Sequence, residues 1–139
     1  MRFMVMVRST APVEAGELPT TEELAAMGAF NERLAKAGHL LEGEGLQPSS
    51  KGARIIFDGD KRSVIDGPFA ETKELIAGFW IVQMKSLEEA VEWFRQAPCF
   101  ENGGVLEIRQ VFEAEDFGDN FTPELREQEA SLRIGGLGK

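Results

Sequence analysis

The chain has a single cysteine, Cys99, and a single histidine, His39, among its 139 residues. One thiol excludes an intrachain disulfide, and with it the stapled framework of a small secreted domain. One imidazole excludes a multi-histidine metal centre, so no metal or other cofactor is expected. Basic charge is also scarce. Twenty-four acidic residues against fifteen basic ones leave a net charge of −9, and the densest basic dipeptide is Lys61-Arg62. Such a surface repels phosphate backbones and anionic lipid, which excludes nucleic acid and membrane as expected partners. No apolar run approaches membrane-spanning length, and the N-terminal run is closed by Arg8 before it could serve as a signal-peptide core. Gly43 and Gly45 lack both a following Walker lysine and the third glycine of a dinucleotide fingerprint, so nucleotide binding has no support. These absences together lead to the expectation of a soluble, cytoplasmic protein.

What is present builds one compact domain. A hydrophobic fraction of 42% in 15.3 kDa is enough for a real core without cross-links. Residues 3–7 are a continuous apolar run of strand length, apolar on both faces. A loop over 9–19 leads to Thr20 and Glu23, which have capping-box spacing, and Leu24, Met27, Phe30 or Asn31, and Leu34 then recur at helical spacing until Gly38. Residues 40–46 read as a second strand, in which Gly43 and Gly45 mark a bulge or the close approach of a backbone or ligand. Residues 54–57 and 62–65 flank Asp58-Gly59, a strong hairpin signal.

Residues 78–84 form another strand, with Phe79 and Ile81 on one face and Trp80, Val82 and Met84 on the other. Ser86 opens the clearest helix, carrying Leu87, Ala90, Val91 and Phe94 on one stripe and halted by Pro98. Residues 105–112 alternate as the closing strand. Thr122-Pro123 starts a short tail helix reaching about Arg133, followed by a mobile end over 135–139.

Without the hairpin, the order is strand, helix, strand, strand, helix, strand. That is the split βαβ arrangement of a ferredoxin-like α+β domain, an antiparallel sheet with helices on one face. A bare face carrying Met4, Met6, Trp80, Val82 or their neighbours leaves an apolar patch, which predicts a homodimer with a ligand pocket nearby.

The segment Asp66-Gly67-Pro68-Phe69-Ala70-Glu71-Thr72-Lys73-Glu74, followed by Gly78-Phe79-Trp80, resembles the signature of the DGPF family, related to YCII proteins. Ala37-Gly38, Gly43-Glu44-Gly45-Leu46-Gln47-Pro48, Ser86-Leu87-Glu88-Glu89-Ala90 and Glu107-Ile108-Arg109 extend the likeness over residues 1–115 and leave 116–139 as a tail. The resemblance implies a ferredoxin-like protomer that dimerises through its open sheet as a dimeric α+β barrel. It also implies metal-free chemistry on a small organic molecule beside the sheet, or a regulatory role, since some relatives are associated with sigma-like transcription factors. YCII proteins pair a histidine on the first helix with an aspartate before the proline ending the second. Here His39 follows the first helix and Ala97 precedes Pro98, so that dyad does not carry over.

The candidate site residues are Asp66, Phe69, Lys73, Trp80 and Arg109 for binding, with Asp66 and His39 as candidate acid/base groups. The structural readings beside these are Asp66 as a turn aspartate, Lys73 as a solvated cation, His39 as a helix-end residue, and Trp80 as core packing. Glu42 and Glu44 share a strand face and are further candidates to line a site with Arg109. Two readings follow: a small-molecule-binding homodimer that works by acid/base groups alone, and a non-catalytic protein-interaction module.

Overall fold

The computed structural model describes residues 1–134, so the expectation for residues 135–139 lies outside them. In chain order the elements are β1 (Arg2–Arg8), α1 (Ala11–Glu14), α2 (Thr21–Lys36), β2 (Leu40–Gly45), β3 (Ala53–Asp58), β4 (Lys61–Asp66), β5 (Ile76–Gln83), α3 (Leu87–Phe94), β6 (Leu106–Gln110) and α4 (Pro123–Ile134). The loop expected over 9–19 contains α1, whose Thr10 hydroxyl accepts from the Val13 amide at 3.4 Å. One turn is too short for an apolar stripe, so periodicity gives no sign of it.

The capping expectations have particular outcomes. Thr20 and Glu23 form a reciprocal capping box at the start of α2. The other end is a Schellman closure: Gly38, at φ +80°, donates to Ala35 O and His39 N–H donates to Leu34 O. At α3, Ser86 accepts from the Glu89 amide, but the Glu89 carboxylate accepts from Lys85 N–H, one residue earlier than a capping box requires. This helix ends at Phe94, short of Pro98, and the chain tightens through Gln96 to Trp93 and Ala97 to Phe94 bonds. Between β3 and β4 the two-residue turn is Gly59-Asp60, with the positive φ of +58° at Gly59 alone.

The main sheet has the order β2-β5-β1-β6, every pair antiparallel, which is the ferredoxin-like topology. β3 and β4 form a separate two-stranded sheet, the extra hairpin. The fold is therefore α+β, with α2 and α3 on one face. That face holds the core: Phe3, Val5, Trp80 and Val82 from the strands meet Phe30 and Leu34 of α2 and Ala90 and Phe94 of α3. Burying a Phe, Leu or Val side chain contributes roughly 1.5–3 kcal/mol, so this layer dominates stability. Leu24 is 59% exposed, and the α2 stripe engages the core only from Met27 onward.

Register corrects one expectation. Met4 pairs with Ile81 and Met6 with Phe79, so these four half-buried side chains share the open face. Trp80 and Val82 pair with Val5 and Phe3 and face the helices. The alternation within 78–84 holds; the assignment of Trp80 and Val82 to the bare face does not.

Candidate functional site

A cavity of 240 Å³ opens where α2 meets the β2–β5 edge of the sheet, walled by Met27 and Asn31 of α2, Glu44 of β2, and Ala77, Phe79 and Trp80 of β5. Three glycines create the space. A Cβ on Gly43 would lie 3.2 Å from the Trp80 ring, and one on Gly78 would lie 2.8 Å from Glu44 O, so the backbones and the indole approach closely. A Cβ on Gly45 would meet nothing within 4 Å, because that position borders the opening. Of the two alternatives read for Gly43 and Gly45, the close backbone approach is the one at these glycines, through the contact at Gly78, whereas the register shift of this strand lies earlier, between Leu40 and Glu42.

Trp80 joins cavity to core. Its ring is 5% exposed and stands edge-on to Phe30 at 6.3 Å and tilted to Phe94 at 5.0 Å. Its indole N–H donates to Asn31 Oδ1 at 2.8 Å, which satisfies a buried donor and fixes the ring plane. The wall is thus mostly apolar, with the Asn31 amide as a polar side chain; Glu44 borders it through β2, while its carboxylate belongs to the row of Phe79 on the open face. Asn31 was legible only as an oddity: a polar residue four positions after Met27 on an otherwise apolar helix stripe.

Among the candidates read from sequence, the cavity wall includes Trp80 and none of His39, Asp66, Phe69, Lys73 or Arg109. Asp66 ends β4 opposite Ala53, exposed, and no hydrogen bond to its carboxylate occurs among the described residues. A turn aspartate bonding the amide two residues on is impossible here, since that residue is Pro68. Phe69 lies under the Arg54 guanidinium at 3.9 Å. Lys73 is exposed, and its carbonyl accepts from Arg8 at 2.8 Å. His39 is half-buried against Trp93, ring centroids 5.2 Å apart, with Nδ1 2.8 Å from Gln83 O. A carbonyl only accepts, so Nδ1 carries a proton and Nε2 is the basic nitrogen of the neutral ring.

The D-G-P-F corner is organised by groups that sequence inspection overlooked. Gly67 N–H donates to Gly52 O at 3.0 Å, and the Gly67-Pro68 peptide that follows is cis. Ser49 Oγ accepts from Phe69 N–H at 3.0 Å and donates to Glu14, whose other oxygen accepts from Ser49 N–H at 3.0 Å. Glu14, Ser49 and Phe69 stand far apart in the chain, and no local spacing signals their convergence.

On the open face, β2 presents Glu42 and Glu44 in the rows of Ile81 and Phe79, and β6 presents Arg109 and Glu107 in the rows of Met4 and Met6. Glu42 and Arg109 therefore share a row but lie three strand spacings apart, about 14 Å, too far to meet within one chain. Arg8 occupies Glu107 at 3.2 Å. Among the described residues no group of three metal-ligating side chains comes together, and no helix is long and apolar enough to cross a membrane.

Fold and site together define a ferredoxin-like α+β protein with a small, mostly apolar cavity at the sheet edge. The chain belongs to the YCII-related family, whose model matches residues 1–115. An uncharacterized protein of Rhizobium meliloti (strain 1021) is 35% identical over 69 residues, spanning 50% of this chain and 56% of that relative. Among solved structures, 5-chloro-2-hydroxyhydroquinone dehydrochlorinase from Burkholderia phenoliruptrix AC1100, in complex with 2,5-dihydroxybenzoquinone, is similar at 17% identity and a TM-score of 0.42, over 84% of this chain and 99% of that one. Strand order and register define the fold as ferredoxin-like.

Proposed function

We propose that the protein is a cytoplasmic homodimer that binds a small organic molecule in the cavity beside Trp80, with residues 1–115 as the binding domain and 116–139 as a tail. The observation that carries this reading is the cavity itself: glycines at three cross-strand positions hold open a 240 Å³ space against an indole fixed by Asn31. A flat or apolar body fits against Trp80 and Met27, and a hydroxyl or amide on it has Asn31 as a polar partner. Glu42 and Glu44 stand in the rows of the open face, on the other side of the sheet, so binding, rather than proton transfer by a carboxylate of the wall, is what this cavity supports.

Dimerisation is supported by the open sheet face, where Met4, Met6, Phe79 and Ile81 form an apolar stripe between charged edges. The single thiol, Cys99, suits a reducing compartment.

Thermal-shift screening of the intact protein against a metabolite library tests the binding reading, since a ligand at ~100 times its Kd stabilises by about 2.7 kcal/mol. A compound that raises the wild-type Tm should lose that effect in Gly45→Leu, which fills the opening, and weaken in Asn31→Ala. A shift that persists unchanged in Gly45→Leu places the ligand elsewhere and sinks this site.

A further inference from the structure

A second cavity, 480 Å³, lies between the end of the sheet and the tail. After β6 the chain folds back through a 3-10 segment, Ala114–Asn120, and then α4. This brings three phenylalanines together. Phe112 and Phe117 stack with centroids 4.7 Å apart and planes 24° from parallel, and Phe121 tilts onto Phe117 at 5.4 Å. Packing among themselves does not cover them: Phe112 remains 63% and Phe117 52% exposed, both turned to the cavity wall.

The charges around these rings are unequal. Arg2 is held by Glu113 at 2.8 Å and Arg133 by Glu129 at 3.1 Å. Arg126, which also lines the cavity, has no carboxylate partner among the described residues. Its Nε donates to Phe121 O at 3.2 Å and its guanidinium sits 5.6 Å from the Phe121 ring. That anchorage orients the group and leaves its terminal nitrogens as donors. In a chain of net charge −9, the wall carries three arginines against two glutamates.

We infer that this cavity binds a small aromatic carboxylate, its ring laid on the Phe112–Phe117 stack and its carboxylate bonded to Arg126. A guanidinium fork matches a carboxylate in geometry as well as charge, and an exposed aromatic floor gains most from a flat apolar body. The volume falls within the range of small-molecule sites and exceeds what a single ring needs. The site does not depend on the cavity beside Trp80, with which it shares no lining residue.

Calorimetric titration of the full chain with 1-naphthoate, and separately with the neutral 1-naphthamide, tests the inference. Naphthoate is expected to saturate one site per chain and to bind at least about ten-fold more tightly than the amide, the worth of one charge-assisted contact. Arg126→Gln should reduce naphthoate affinity to that of the amide, and Phe117→Ala should weaken both compounds. Gly45→Leu should change neither. Equal affinity for acid and amide overturns the inference on the wild-type protein alone, whatever the variants' folding. So does absence of saturable naphthoate binding, undiminished binding in Arg126→Gln, or loss of binding in Gly45→Leu.

Discussion

Gly67 has no room for a side chain. A Cβ at that position would lie 1.7 Å from Ser49 O and 2.6 Å from Ser49 C, both backbone atoms that cannot swing aside. The glycine of the D-G-P-F corner is thus required by close approach to the 49–52 turn, where its own N–H is bonded to Gly52 O. Asp66, beside it, is exposed. The two residues should separate cleanly in urea unfolding: Gly67→Ala is expected to cost about 3 kcal/mol or more, while Asp66→Ala stays within about 0.5 kcal/mol. Comparable losses from both would mean that the aspartate carboxylate also holds the corner. The corner was visible in sequence as a dense group of turn residues and charges. Its reason was not, because the atom that forbids a Cβ belongs to Ser49, eighteen residues earlier, and the carboxylate that fixes Ser49 belongs to Glu14.

Elements were legible where the signal is local. Thr20 with Glu23, Gly38, and the Leu87-Ala90-Val91-Phe94 spacing carry their own geometry, and they set α2 and α3 correctly to within a turn. The cavity beside Trp80 was legible only in part, since Gly43 and Gly45 announce an approach but not its partner; Gly78 on β5 supplies it through register. Trp80 was placed on the wrong face for the same reason: alternation sorts a strand into two faces, and only pairing with Val5 says which is covered. The junction between β1 and the tail was illegible, being an ion pair across almost the whole chain. Arg2 grips both oxygens of Glu113, at 2.8 and 3.3 Å.

This grip makes the junction sensitive to acid. The hydrogen bonds from Arg2 are the largest effect and, with its charge and that of the N-terminus, hold the Glu113 carboxyl below its ordinary value of 4.5, against the opposing effects of burial and of Asp116. A depressed folded-state pKa contributes stability that is fully present above the unfolded value and is lost as pH falls through the folded one. Glu113→Gln should therefore be less stable than wild type at pH 7 by about 0.5 kcal/mol, the scale of a solvent-screened pair. The gap should stay constant down to the ordinary carboxyl range and close below it, where both side chains are neutral. Urea unfolding from pH 7 to pH 3 checks this; a gap of undiminished size at pH 3 would show that the pair contributes nothing through charge.

At the scale of the whole molecule, the unsolved requirement is the open sheet face. Met4, Met6, Phe79 and Ile81 are half-buried by their own neighbours and lack a covering layer among the described residues. A second copy covers them best if the two-fold axis runs parallel to the strands. That operation preserves each row and exchanges the edges, setting β2 of one protomer over β6 of its partner. Glu42 and Arg109 occupy the same row at opposite edges, so each would then face its complement twice per dimer. An axis across the strands would instead stack glutamates on glutamates. Met6→Glu, which places a charge in the apolar middle, should weaken association by about 100-fold or more, because a buried unpaired carboxylate costs several kcal/mol. Glu42→Arg and Arg109→Glu should each weaken it less, and the double variant should recover much of the loss, since the swap restores opposite signs across the interface. Sedimentation equilibrium at micromolar protein reads all four. A wild-type monomer would remove the dimer outright, and single charge reversals whose effects simply add, with no recovery in the double variant, would leave a dimer built on a different axis.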